Sequence, residues 1–199
     1  MQTIYEMDNN GFSGVKWSKV TSMEKKWFRK RKVTKGVQAQ TAKLTEGLCF
    51  GYSVTWVRKM LEGLPLDETV PTQLQAGLLQ QKVEMWQRSG GWDNAINRTC
   101  KDLGLVVVRK VSPLWSDTAR EMTKWSGFFI VDIGIHWVAM GHKNHKYYYF
   151  DANEGFFVYD NRIEFRTDVN SPDNFGYYHN DKWMTNSGEV CNCYQLGLA

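Results

Sequence analysis

The sequence predicts an α+β domain in which N-terminal helices pack on a C-terminal antiparallel β-sheet. Three observations lead there. Apolar residues recur at helical spacing between residues 49 and 103, and from residue 105 the texture changes to short β-branched and aromatic runs separated by turns. The length of 199 residues, 42% of them hydrophobic, suits one packed domain rather than two or a disordered chain. Nine Trp, nine Tyr and ten Phe add large contact areas with polar tips on Tyr and Trp, which fits a small domain with a groove.

Residues 1 to about 40 form a polar, irregular leader with turn signals at Asn9-Asn10-Gly11 and Ser13-Gly14, and residues 41–199 form the domain proper. The first helix starts at Cys49. Phe50, Val54, Val57 and Leu61 recur at its spacing, with Met60 widening the stripe. Thr45 and Glu46 are capping residues just ahead, and Gly63 with Pro65 stops it. A second helix spans residues 71–87, with Pro71 at its start and Leu74, Leu78, Leu79, Val83 and Trp86 as its apolar face. Gly90-Gly91 breaks it, and residues 92–103 read as a third helix ending at Gly104. Strands follow at 105–111 and 128–133, with a short helix at 116–124 between them. Further strands are expected at 136–140, 147–150, 156–159 and 163–165.

Formal net charge is +4, unevenly spread. Lys25, Lys26, Arg29, Lys30, Arg31, Lys32 and Lys35 crowd together around Trp27 and Phe28. Such a cluster suits an anionic membrane surface or an acidic partner, and equally a solvated leader. No base-reading motif accompanies it, so nucleic acid is not an expected partner. There is no apolar run near eighteen residues and no signal-peptide pattern, which predicts a soluble protein and leaves open export by a route that reads no cleavable signal. Cys49, Cys100, Cys191 and Cys193 are too few and scattered for a disulfide scaffold. The Cys191-x-Cys193 pair lacks the partners of a zinc knuckle, so no metal or other cofactor is expected. Cys100, Cys191 and Cys193 read as ordinary thiols acting as small hydrophobes.

The chemistry gathers around Cys49, His136 and Asp151. A thiolate is favoured at the first turn of a helix by unpaired N–H groups, and Gly47 and Gly51 leave the Cys49 sulfur uncovered. Taken alone, Cys49 reads better as a core residue. A nucleophile also needs a base within reach, and that base needs a third group to orient it. His136 opens one strand and Asp151 closes the next, after a turn around residues 143–146. In a hairpin those two ends lie side by side, so the carboxylate takes one imidazole nitrogen and leaves the other for the sulfur. His142 lies about 20 Å further along the strand. His145 falls in the turn and His179 in an Asn-rich stretch, so all three read as bystanders. Trp56 and Trp137 are candidates for the cleft wall or for core packing.

Gly47, Cys49, Ser53 and Trp56 fit a Gly-x-Cys-x-x-x-Ser-x-x-Trp run, and Phe150, Asp151, Asn153 and Gly155 fit Phe-Asp-x-Asn-x-Gly. On these motifs residues 40–165 resemble the YopT-like cysteine proteases of the papain-like superfamily. The resemblance implies a papain-like fold and a Cys-His-Asp protease that needs no cofactor. It also implies a bacterial effector acting on a protein of the target cell, in some members a membrane-anchored or lipid-modified one. The family pairs the nucleophile's N–H with an upstream Gln or Asn side chain as oxyanion donor. Gln40 is the candidate here and Gln38 lies near it, with Lys43, Leu44, Thr45 and Glu46 at the closer positions. The interval of 87 residues from Cys49 to His136 is short for the family and implies a trimmed cleft. A chaperone or an immunity protein is a further expected partner. The same three residues also suit a glutamine or asparagine deamidase or a peptidoglycan amidase. The non-enzymatic alternative is a membrane- or nucleic-acid-binding module built on the basic leader.

Overall fold

The computed structural model describes residues 1–6, 48–134, 136–170 and 190–199. In chain order the elements are β1 (Gln2–Glu6), α1 (Cys49–Leu61), a 3₁₀ turn (Leu66–Thr69), α2 (Gln73–Asp102), β2 (Leu105–Val111), α3 (Trp115–Met122), β3 (Gly127–Asp132), β4 (Trp137–Lys143), β5 (Lys146–Asp151), β6 (Gly155–Tyr159), α4 (Arg162–Asn170) and β7 (Asn192–Leu198). Seven strands form one sheet in the order β1-β6-β5-β4-β3-β7-β2, and every neighbouring pair is antiparallel.

Both faces of the sheet are covered. Phe128, Ile130, Ala139, Phe150, Phe156 and Leu196 pack under α1 and α2. Phe129, Val131, Met140, Tyr149, Phe157 and Cys193 pack under α3 and α4. The central strands therefore carry apolar residues at successive positions rather than in alternation. Trp56 lies at the middle of the α1 layer, stacked on Phe150 with ring centroids 5.4 Å apart.

Four sequence expectations change. The leader begins with a strand: residues 2–6 pair with β6, with Thr3 opposite Phe157. The strand expected at 163–165 is helical. The Asn161 side chain accepts from the Ile163 N–H at 2.7 Å and caps α4, which outweighs the strand-like Ile-Glu-Phe alternation. The apolar face of α2 is the expected one in part: Val83 is buried and Leu79 and Trp86 pack against the core, but the rest of the face differs. Ala76, Gln80 and Val83 are buried, while Leu74 and Leu78 are 73% and 56% exposed. The reason is close approach, because Gly51 of α1 sits against the Ala76 backbone where only a residue without Cβ fits. β7 was not anticipated and lies between β3 and β2.

Helix α2 opens two residues after Pro71, under a Thr72–Gln75 capping box rather than on the proline itself. The break at Gly90-Gly91 appears as a kink, with Gly91 at φ 73° and ψ 172°, a conformation open essentially to glycine alone. The Thr45 and Glu46 caps fall outside the described residues.

Candidate active site

Cys49 is the first residue of α1 and is half-buried. Leu48 before it has no side chain able to cap the N–H groups of the first turn. Other elements hold this end of the helix. The Gly51 N–H donates to Gln80 Oε1 of α2 at 3.3 Å. One turn after the cysteine, the buried Ser53 hydroxyl donates to the Trp137 carbonyl at 3.2 Å. That bond ties the cysteine's helix to the strand that follows His136.

His136 precedes β4 and is 3% exposed. A tight turn presents it: the Ile133 N–H donates to the His136 carbonyl at 3.0 Å, and the Gly134 N–H donates to Asp132 Oδ1 at 3.0 Å. Asp151 closes β5 opposite Val138. The hairpin turns through Asn144 and His145, both at positive φ, the pattern of a tight two-residue connection. This register places His136 Nε2 2.9 Å from Asp151 Oδ1. The same oxygen accepts the Asn153 N–H at 2.8 Å, and the Tyr149 hydroxyl lies 3.4 Å from Oδ2.

With Nε2 committed to the carboxylate, Nδ1 is the nitrogen left for another partner, and the Cys49 thiol lies near enough to act on the charge of the ring. Burial pushes the imidazole down, but the Asp151 charge and hydrogen bond, followed by those of Cys49, outweigh it and raise the His136 pKa to about 10. The arrangement favours an imidazolium beside the Asp151 carboxylate. Tyr149 is held well above its ordinary value by burial and then by the Asp151 charge, so it remains a neutral donor to that carboxylate.

The other thiols are built differently. Burial pushes Cys100 up to about 12 and Cys193 well above the usual thiol range. Cys100, Cys191 and Cys193 are all buried, and none is in a disulfide. Among the described residues no group of His, Cys, Asp and Glu is placed to hold a metal ion. Trp137, 4% exposed, packs between Phe50 and Trp92 with ring centroids 5.2 and 5.5 Å away, so it serves the core beside the site. Trp56 is fully buried and does the same.

His142 is stacked on Tyr147 at 4.6 Å rather than lying exposed, and burial lowers its pKa, with the His145 and Arg162 charges adding to the effect. His145 sits in the hairpin turn. Gln40, Gln38, His179 and the basic cluster from Lys25 to Lys35 lie outside the described residues. Sequence reasoning missed Tyr149 and Gln80. Tyr149 had a signal, since it stands two residues before Asp151 and so on the same side of the strand. Gln80 had one too, as a polar residue in line with Ala76 and Val83.

No protein-family model matches the chain, and no curated protein matches it in sequence. Among solved structures it is similar to the Pseudomonas avirulence protein AvrPphB, with a TM-score of 0.62 at 15% identity over 77% of this chain and 93% of that one. It also matches the ubiquitin-specific protease encoded by the murine cytomegalovirus tegument protein M48, with a TM-score of 0.46 at 13% identity over 79% of this chain and 78% of that one. The fold is the α+β, papain-like one that the sequence predicted.

Proposed function

We propose that this protein is a cysteine hydrolase of the YopT-like kind that cleaves an amide bond in a protein, with Cys49 as nucleophile, His136 as acid and base, and Asp151 as the group that orients the ring. The observation that carries this reading is the His136 ring, buried and bonded through Nε2 to Asp151, with the half-buried thiol that opens helix α1 close enough to act on its charge.

The chemistry runs as acyl transfer. His136 takes the Cys49 proton, and the thiolate attacks the carbonyl carbon of the substrate. The oxyanion that forms is held by the Cys49 N–H, with Gln40 as the side-chain donor. His136 returns the proton to the leaving amine as the carbon–nitrogen bond breaks, leaving a thioester. A water molecule, deprotonated by the same ring, attacks the thioester and releases the acid product and free Cys49. Asp151 offsets the imidazolium charge throughout and remains ionised. The residues need no metal or organic group for these steps.

The substrate in this reading is a protein of a target cell. The cluster from Lys25 to Lys32 would bring the enzyme to an anionic membrane. Among the described residues no helix is long and apolar enough to cross one. The test compares new protein N-termini in cells expressing wild type and Cys49→Ala protein. Peptides that appear only with wild type, and vanish again in His136→Ala, are the expected result. A product heavier by about 1 Da with no new N-terminus would move the chemistry to deamidation, and lysis of bacteria on periplasmic targeting would move it to the cell wall. Undiminished turnover by the Cys49→Ala protein would remove the nucleophile assignment.

A further inference from the structure

Leu48 gives helix α1 no side-chain cap, and an acceptor for its first turn comes from another helix. Leu48 offers no side-chain oxygen, so the N–H groups of Cys49, Phe50 and Gly51 have no acceptor inside the helix. Gln80 reaches across from α2 and accepts the third of them, at 3.3 Å. Its other end is fixed as well, because Nε2 donates to Glu84 Oε1 at 2.9 Å. The backbone N–H on one side and the carboxylate on the other leave only one orientation for the amide.

The location of Gln80 is unusual for its chemistry. It is 6% exposed and lies in the strip of α2, with Ala76 and Val83, that packs beneath α1. An amide in such a strip is costly unless both ends are bonded. An apolar side chain would satisfy the packing equally well. What the amide adds is a hold on the first turn of the helix that carries the nucleophile, two residues from Cys49. The close seating of Gly51 on the Ala76 backbone makes that reach possible, since Gln80 lies one turn further along α2.

We propose that Gln80 is a positioning residue for the reaction assigned to Cys49, and this inference rests on the hydrolase reading. Its carbonyl closes the Gly51 N–H and so fixes the first turn, leaving the Cys49 and Phe50 N–H groups directed at the sulfur and at the oxyanion formed there. Gln80 is too deeply buried to touch substrate, so it acts through α1. Ser53 anchors the same helix to the strand of His136, and the two bonds together set the separation of sulfur and ring.

The test uses the full chain and iodoacetamide, a small neutral thiol probe that needs no substrate site, with alkylation of Cys49 followed by mass spectrometry between pH 5 and 10. Gln80→Glu, made together with Glu84→Gln so that an amide still donates to the buried carboxylate, keeps an acceptor for the Gly51 N–H but sets a negative charge beside the helix start. Its thermal midpoint should stay near that of wild type, while its alkylation profile moves to higher pH by about one unit. Gln80→Met keeps the volume and removes the acceptor, so alkylation at pH 7 should fall at least about fivefold as sulfur and ring lose register. A folded double variant whose profile overlays wild type, or Gln80→Met alkylated at the wild-type rate, overturns the proposal. Should Gln80→Met fail to fold, the profile of the double variant decides alone. His136→Ala distinguishes the two readings: if it is alkylated just as wild type is, the hydrolase assignment fails rather than the role of Gln80.

Discussion

His136 is held by two groups of opposite demand. Burial favours the neutral ring, whereas the Asp151 carboxylate and the Cys49 sulfur favour the cation and win. This gives the ring a calculable part in stability. Its folded pKa of about 10 lies above the 6.5 of a free imidazole, so its stabilisation is complete below about pH 6.5. It erodes as pH rises and is gone beyond about 10. Asp151→Asn removes the largest of the raising influences. Thermal midpoints measured from pH 6 to 10 should therefore fall more steeply for wild type than for Asp151→Asn. Turnover of Asp151→Asn should drop by roughly 10³ to 10⁴, since an amide opposite Nε2 stabilises the wrong tautomer. Parallel stability curves for the two proteins would show that the carboxylate does not set the ring's charge. This pairing was legible in the sequence, because a short hairpin with known ends leaves no freedom in which residues meet. The cysteine's own anchors were not. Gln80 and Ser53 act through contacts between distant segments, and neither residue type announces a partner.

Helix α1 depends on its contact with α2. A Cβ built on Gly51 would lie 2.0 Å from the Ala76 carbonyl oxygen, a backbone atom that cannot rotate away. Gly51→Ala should therefore force the helices apart and cost about 1–3 kcal/mol in urea unfolding, with a loss of turnover out of proportion to that cost, because the displaced turn carries Cys49. An alanine protein with unchanged stability and activity would mean that the helices tolerate separation. The same contact explains why the helical periodicity of α2 misled. Leu74 and Leu78 look like a core stripe by spacing, yet the face that wins is the one whose small residues permit close approach. The kink at Gly91 and the helix end at Gly104 were readable, since backbone conformation at glycine is a local matter. Helix α4 was not, because a three-residue alternation says less than the Asn161 cap that precedes it.

At the scale of the whole molecule, the sheet joins strands from distant parts of the chain. β1 pairs with β6, and β7 enters between β3 and β2, its Tyr194 opposite Ile130 on one side and Lys110 on the other. Composition and the order of elements sufficed to foresee helices first and an antiparallel sheet after, but not these two strands. β7 carries buried residues on both faces, Cys193 on one and Leu196 on the other, so it lacks the contrast by which a half-exposed strand is recognised. Its partners are also far away in sequence, beyond the reach of any local signal. Among the described strands, β2 has no neighbour except β7. A chain truncated after residue 190 should accordingly lose its cooperative unfolding transition and bind hydrophobic dyes; a truncated chain that melts cooperatively would show that β2 can dock by itself. For a chain still attached to its ribosome this has a further meaning. Until residues 192–198 have cleared the exit tunnel, β2 has nothing to zip against, Asp93 waits for the Tyr194 hydroxyl, and Trp137 lacks one of its flanking rings. The packing around Trp137 is thus completed only when that strand arrives.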